Sequence, residues 1–160
     1  MFRRSAGVVA GRPLWHKGGM EPMDQIQLET IISASLDRVW TAFAHERGQW
    51  WPELDFWPVI GSLLREQGEV DGVQYTAVGT VKDVISGRRL VFAWSQPGWD
   101  GVTTVRWEFE SAGTGTRVLL IESGFSALAR GQELAEDHRE AWPYHLSDLK
   151  EHAERPVPEG

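Results

Sequence analysis

The sequence contains no cysteine. Disulfide bonds, zinc sites with cysteine ligands, iron–sulfur ligation and thiol catalysis are therefore excluded together. No stretch approaches the roughly 18 consecutive apolar residues that a membrane-spanning helix needs. The sequence also lacks a Gly-x-Ser-x-Gly nucleophile elbow, a Walker phosphate loop and a dinucleotide-binding fingerprint. These absences exclude whole classes of enzymes.

Positive charge is scarce as well. The chain has 16 Lys and Arg side chains against 23 Asp and Glu side chains, and its formal net charge is −7. Affinity for phosphates depends on clustered Lys and Arg, whereas the basic residues here are scattered. We therefore expect no nucleic-acid partner, no membrane partner and a cytoplasmic location.

Tryptophan, in contrast, is abundant. The 160 residues include nine Trp but only two Tyr, and 41% of them are hydrophobic. A chain of this length is expected to form one domain and to bury roughly two-thirds of its unfolded surface. The tryptophans supply rigid aromatic area for a core or for a pocket.

The two ends of the chain differ in composition from its middle. Residues 1–24 carry four basic and two acidic side chains, and we expect a flexible leader there. The folded domain is predicted to span residues 25–153, and residues 154–160 are predicted to form a flexible tail. The start residue is left open among Met1, Met20 and Met23.

Hydrophobic periodicity predicts a strand, a helix, a series of short strands and a long final helix. The first strand starts at Gln25, and Ser35 caps a helix whose apolar residues recur at helical spacing. The last helix begins near Gly131, and Pro143 predicts a kink or a new start around Ala141. Glycine-containing turns favour antiparallel hairpins between the other strands. These strands are predicted at residues 60–66, 73–77, 80–85, 89–95, 103–110 and 116–123.

Alternation along these strands places apolar side chains on one face of the sheet. Phe92 and Trp94 share a face, as do Val105 and Trp107, but the last strand is apolar on both faces and the direction of Glu122 stays open. One long helix is available to cover this sheet, a layout that leaves a cleft between the two layers. Clefts of this kind suit ligands.

Six segments follow one another at a fairly specific order and spacing between Ile26 and Leu149. They are Val39–Trp40, Trp50–Pro52, Gly79–Val84, Arg89–Trp94, Gly115–Phe125 and His138–Trp142. Together they resemble the START-like (SRPBCC) superfamily, and within it the group named after the activator of the ninety-kilodalton heat-shock chaperone's ATPase. The resemblance implies an α+β helix-grip fold, in which a curved antiparallel sheet of about six to seven strands wraps round a long C-terminal helix, with a short helix after the first strand. Members include chaperone regulators, lipid and polyketide carriers, cyclases and resistance proteins, so the resemblance implies a fold rather than one function.

The candidate site is an aromatic cavity between the sheet and the final helix. Its rings could stack on a flat or acyl ligand, or they could fill the core instead. Trp99, in a loop rich in Gly and Pro, either forms a lid at the cavity mouth or packs over the end of a hairpin. The predicted ligand-binding residues are Trp40, Trp57, Tyr75, Trp94, Trp99, Trp107, Glu122, Phe125, His138 and Trp142.

Glu122 and His138 are the candidate polar pair of this cavity. Desolvation would raise the pKa of the carboxyl and a neighbouring imidazolium would lower it, which is the tuning that acid–base chemistry uses. Three alternatives stay open: a catalytic pair, a buried hydrogen-bonded pair that orients a ligand, and solvent exposure near the sheet edge. Solvent exposure is the default interpretation.

Two further groups of polar residues have simpler interpretations. His138, His145 and His152 repeat every seven residues, about 10 Å apart per step along a helix, which is too far for one metal ion. We expect no metal and no cofactor. Five charged residues either line the cleft entrance or form a solvated surface, which is the default: Arg65, Glu66, Glu69, Arg88 and Arg89.

The leading hypothesis is that the protein binds a small hydrophobic or aromatic ligand in this cavity, without covalent chemistry. One alternative is a protein-interaction module that regulates a chaperone. Another is an enzyme of the cyclase or hydrolase type, with Glu122 or His138 as general base. A chaperone and a second copy of the chain, in a homodimer, both remain open as partners.

Overall fold

The computed structural model of the chain describes residues 24–156. Almost all of the predicted leader, and residues 157–160 of the predicted tail, lie outside the described residues. The elements follow the predicted order from strand to long final helix. They are β1 (Gln25–Ile32), α1 (Leu36–His45), β2 (Leu54–Asp55), β3 (Leu63–Val70), β4 (Val73–Ile85), β5 (Arg89–Ser95), β6 (Thr103–Ala112), β7 (Gly115–Ser123) and α2 (Gly131–Glu154).

The strands form one seven-stranded sheet with the order β1-β7-β6-β5-β4-β3-β2. Every neighbouring pair is antiparallel, and only β1 and β7 are neighbours that do not follow each other along the chain. The 24 residues of α2 pack on this sheet and against α1. The predicted α+β helix-grip fold is therefore confirmed.

Alternating burial along the central strands builds the core. Phe92 in β5 and Trp107 in β6 are 0% exposed, while their neighbours in sequence are more open. In β7, Glu122 points the same way as buried Leu120, which resolves the direction that the sequence leaves open. From α2, Trp142 and other buried side chains cover this face.

One long strand, β4, replaces two predicted short ones. Residues 78 and 79 do not break it, and a bulge lies between Val81 and Asp83 instead. A Cβ at Gly79, within this strand, would lie 2.1 Å from the backbone oxygen of Ala93. The glycine therefore permits close approach of two strands and does not end one.

The long helix α2 continues through Pro143. The prediction of a new helix start around Ala141 is wrong. Ala141 and Trp142 before the proline and His145 after it are buried, whereas Pro143 is exposed. Packing on both sides of the proline therefore stabilises one helix despite the lost backbone hydrogen bond.

The first helix and the segment after it carry the remaining differences. Ser35 caps α1 as predicted, with its side chain accepting from the backbone N–H of Arg38. The two-residue strand β2, which pairs with Arg65 and Glu66, was not predicted because so short a strand has no periodicity. Within the described part of the chain, neither helix is long and apolar enough to cross a membrane.

Candidate functional site

An open cleft of about 550 Å³ lies where the β3–β4 hairpin faces α2. Ligand pockets typically enclose roughly 300 to 1,000 Å³, so the cleft has the size of a small-molecule site. Its lining is mostly polar and comes from the segment before β2, from β3 and β4, and from one histidine of α2. The lining residues are Glu53, Glu66, Gln67, Gly68, Glu69, Gln74, Tyr75, Thr76 and His145.

Glu66 is the buried carboxylate of this cleft. It lies in β3 opposite Ala77 of β4, and only 2% of its surface is exposed. It shares strand parity with buried Leu64, whereas Arg65 points to the exposed face. The indole Nε1 of Trp51 donates a hydrogen bond of 3.1 Å to its Oε2. A carboxylate is thus held in a fixed orientation at the inner wall of the cleft.

His145 forms the helical side of the cleft. Its imidazole stacks on the indole of Trp51, with ring centroids 3.8 Å apart and planes inclined by 16°. Both residues are almost fully buried, at 2% and 1% exposure. Trp51 therefore fixes two groups at once, since it donates to the carboxylate of Glu66 and supports the imidazole of His145.

Tyr75 owes its position to the glycine opposite it. Gly68 and Tyr75 are paired in the register of β3 and β4. A Cβ at residue 68 would lie 2.5 Å from the hydroxyl oxygen of Tyr75 and 2.6 Å from two of its ring carbons. The absent side chain at Gly68 therefore makes the space in which the Tyr75 ring lies, on the sheet side of the cleft.

Arg47 anchors the segment that carries Glu53. Its Nε and Nη2 each donate a 2.8 Å hydrogen bond, to the carbonyl oxygens of Leu54 and Phe56. The guanidinium lies 3.8 Å from the centroid of the Phe56 ring. Burial lowers the pKa of Arg47 to about 10, against an opposing effect of Asp55, so the group stays charged at neutral pH.

A second buried carboxylate, Glu122, lies in the interior near the first half of α2. Its Oε1 accepts from Trp142 Nε1 at 2.8 Å and lies 2.7 Å from Nδ1 of His138. Its Oε2 accepts from Trp94 Nε1 at 3.1 Å and from Thr103 Oγ1 at 2.5 Å. Each oxygen thus has two partners supplied by the protein.

The pKa of Glu122 reflects two opposing effects. Burial alone would raise it, but the His138 imidazolium and the hydrogen bonds from His138, Thr103 and Trp142 outweigh burial and hold the pKa below its usual 4.5. Both Glu122 and His138 are 0% exposed. The default interpretation of solvent exposure is therefore wrong, because two layers of the fold enclose the pair, and the structure contains a buried hydrogen-bonded pair.

Four predicted aromatic residues fill the interior beside this pair. Trp94 and Trp142 stack with centroids 6.0 Å apart, and Trp107 meets Trp142 edge-on at 5.7 Å. Phe125 meets the His138 ring edge-on at 5.6 Å. All four rings are 0% exposed and pack against other side chains.

The remaining predicted aromatic residues are spread over the molecule. Trp40 packs edge-on against Phe109, with centroids 5.3 Å apart, and Trp57 is 75% exposed in the loop before β3. Trp99, partly exposed after β5, lies 5.6 Å from the His138 ring and packs against the core. Of the ten predicted ligand contacts, only Tyr75 lines the cleft in the described part of the chain.

The three histidines of α2 each have a different partner. His138 faces Glu122 and His145 stacks on Trp51, whereas Nε2 of His152 lies 2.8 Å from Oε1 of Glu46. All three are buried. Among residues 24–156 no group of three or more His, Asp and Glu side chains is placed to hold a metal ion.

Trp51 and His145 were not predicted as site residues. The inward parity of β3 and the buried histidine stripe of α2 are the signals that could have placed Glu66 and His145 together. Glu66 and Glu69 both line the cleft, so the solvated surface expected for Glu66 is wrong. Arg88 and Arg89 instead line a separate surface depression.

Residues 33–154 match the sequence model of a family described as "Activator of Hsp90 ATPase homolog 1-like protein". No match is found among curated proteins.

Solved structures share the fold. CV1439 from Chromobacterium violaceum is 17% identical with a TM-score of 0.69, and the match covers 83% of this chain and 99% of that one. CalU16 from Micromonospora echinospora is 20% identical with a TM-score of 0.64, covering 81% and 76%. DynU16, from the dynemicin biosynthetic locus, is 22% identical with a TM-score of 0.69, covering 83% of this chain and 48% of that one. At these identities the likeness shows the fold alone.

Proposed function

The chain belongs to the family of Activator of Hsp90 ATPase homolog 1-like proteins, and from this premise we propose that it binds a small organic ligand with an apolar or aromatic body. The ligand binds in the cleft between the sheet and the C-terminal helix, which Glu66, Tyr75 and His145 line. No covalent step is part of this proposal.

The cleft itself is the observation that carries the proposal. About 550 Å³ is open between two packed layers, and its inner wall is rigid. Trp51 holds Glu66 by a hydrogen bond and His145 by ring stacking. Pre-formed walls favour binding, because little conformational entropy is lost when the ligand enters.

The comparisons support a small-molecule role at the level of the fold. DynU16 comes from the dynemicin biosynthetic locus. A family whose sheet and helix grip a cavity offers a ready place for a small molecule, although one fold hosts many functions.

The alternatives raised by the sequence stay predictions. A general base must reach the proton it removes. Both oxygens of Glu122 already have protein partners, which favours a structural role over catalysis. The chaperone-regulating module and the cytoplasmic location also stay predictions.

Thermal-shift titration of the full chain against aromatic acids, amines, alcohols, flavonoids and fatty acids tests the proposal. A ligand at 100 times its Kd should add about 2.7 kcal/mol to the free energy of unfolding. Tyr75→Ala, which removes an aromatic ring from the cleft lining, should weaken binding at least about tenfold, equivalent to about 1.4 kcal/mol. Trp57→Ala, which removes an exposed aromatic ring outside the cleft, is the matched control.

Two results would contradict the proposal. One is the absence of any saturable ligand for a well-folded protein. The other is a ligand whose affinity Tyr75→Ala and Trp57→Ala lower equally, since binding would then lie elsewhere.

A further inference from the structure

We propose that the ligand carries a protonated amine, which the cleft binds between the carboxylate of Glu66 and the ring of Tyr75. This inference rests on the proposed function and names the chemical class of ligand for the same cleft. It goes beyond an apolar or aromatic body by assigning the ligand a charge and that charge a place.

The lining of the cleft has one sign of charge. Its lining includes three acidic residues, Glu53, Glu66 and Glu69, and contains no Lys or Arg among the described residues. Of the residues that the structure describes, His145 is the only basic one in this lining. An anionic ligand would meet repulsion from all three carboxylates, whereas a cation would be attracted by each.

Glu66 is prepared to bind a cation. It is 2% exposed, so its charge is screened by water much less than that of a surface carboxylate. The hydrogen bond from Trp51 fixes its Oε2, which removes the cost of ordering the side chain when a ligand arrives. A protonated amine also supplies N–H donors, and charge-assisted hydrogen bonds are the strong ones.

Tyr75 adds an independent reason to expect a cation. An ammonium group is attracted to the face of an aromatic ring within about 6 Å of its centroid. Tyr75 and Glu66 lie on the same inward-facing side of β4 and β3, with Ala77 opposite Glu66 and Gly68 opposite Tyr75. The bare glycine leaves the ring close to the strand, so ring and carboxylate line one space.

A metal ion fits this cleft less well than an organic cation. Metal ions need several ligand atoms that converge on one point at about 2.0 to 2.6 Å. The acidic and histidine side chains of residues 24–156 do not form such a group anywhere. Carboxylates spread along a cleft of about 550 Å³ match a larger molecule with a charged group at one end.

Three probes that share a naphthalene body and carry a cationic, a neutral or an anionic head group test the inference. They are naphthylethylamine, naphthylethanol and naphthylacetate, titrated into the full chain and followed by the NMR shifts of Gly68 N–H and Trp51 Nε1–H. We expect the amine to bind at least about tenfold tighter than the alcohol, because a charge-assisted hydrogen bond is roughly twice as strong as a neutral one. The acid should bind more weakly than the alcohol.

Matched variants separate local charge from the net charge of the chain. Glu66→Gln keeps an acceptor for Trp51 but removes the charge. Glu69→Gln removes one charge at an exposed position of the lining, where folding is not at risk. Each should reduce the preference for the amine, Glu66→Gln by at least about fivefold. Glu110→Gln removes one exposed carboxylate outside the cleft and should leave the preference unchanged.

The outcomes distinguish this inference from the proposed function. Equal binding of amine and alcohol at the cleft would overturn the amine while leaving ligand binding intact. A preference that survives in both Glu66→Gln and Glu69→Gln would also overturn it. If none of the three probes shifts the cleft signals, both this inference and the proposed function fail for ligands of this class.

Discussion

Two buried glutamates face the same helix in two different ways. Glu122 and Glu66 both accept indole N–H groups, Glu122 from Trp94 and Trp142 and Glu66 from Trp51. Each also lies near a histidine of α2. His138 is a hydrogen-bond partner of Glu122, and His145 lines the same cleft as Glu66. Glu122 lies in the interior with two partners on each oxygen, whereas Glu66, although almost fully buried, lines the cleft.

Residue type alone therefore does not identify a ligand site in this fold. A carboxylate, an indole and an imidazole occur at both places, yet one group closes the core and the other borders a cleft. Access decides which of them can bind a ligand. Substitutions at the two places should therefore separate stability from binding.

Glu122→Ala should produce the largest loss of stability. It leaves two indole N–H groups, the hydroxyl of Thr103 and the His138 ring without their common acceptor in the core. Breaking a buried pair in this way costs about 3 to 5 kcal/mol. Urea denaturation measures it, with Glu110→Ala as an exposed control expected to cost under about 1 kcal/mol. A loss no greater than that of the control would contradict the structural role of Glu122.

Arg47→Leu should lower the free energy of unfolding by about 2 to 3 kcal/mol, because two buried carbonyl groups lose their charged donors. Since Arg47 anchors the segment with Glu53, affinity for a cleft ligand should fall as well. Arg106→Leu, at a half-exposed position on β6, is the control. Denaturant titration and ligand titration of both variants test this prediction, and unchanged affinity in Arg47→Leu would show that the anchor does not support the cleft.

Two glycine substitutions should separate a rigid contact from a yielding one. Gly79→Ala places a Cβ against the backbone oxygen of Ala93, which cannot move alone, and should cost about 1 to 3 kcal/mol. Gly68→Ala meets only the end of the Tyr75 side chain and should cost under about 1 kcal/mol, while moving the ring and weakening ligand binding. Thermal melts compare the two variants, and equal losses would contradict the comparison.

The smallest effect is confined to acid. The pKa of Glu122 is lower in the folded protein than its usual 4.5, so the ionised group stabilises the fold above that value. This contribution is lost as the pH falls through the folded-state pKa. Unfolding measured from about pH 7 to about pH 3 should show a shallower decline for Glu122→Gln than for the unchanged chain. The hydrogen bond from His152 also lowers the pKa of Glu46. Part of the loss of stability in acid should therefore remain in both proteins.

The fold could be predicted further than the site. Alternation in β5 and β6 and the stripe of α2 are local patterns that packing preserves, so Trp107 and Trp142 were placed in the interior correctly. Tertiary contacts decided the failures. Gly79 stays within a strand because Ala93 approaches it, and the helix passes Pro143 because buried neighbours hold it.

The cleft could be predicted only in part. The charge of Glu66 and Glu69 was visible in the sequence, but their place in a cleft lining depends on how the β3–β4 hairpin faces α2. The role of Trp51 depends on contacts with a strand residue and with His145, which lies more than ninety residues further along the chain. The hydrophobic periodicity of a single strand or helix cannot predict a contact between residues so far apart in the sequence.

The seven-residue spacing of the histidines constrains how α2 can move. His138, His145 and His152 meet Glu122, Trp51 and Glu46 on three separate parts of the fold. Sliding the helix by one turn, about 5.4 Å, would break all three contacts together. Pivoting about one of them would disturb the other two in proportion to their distance from it. The helix therefore has a fixed axial register, and neither sliding nor tilting can change the width of the cleft without disturbing at least one of these contacts.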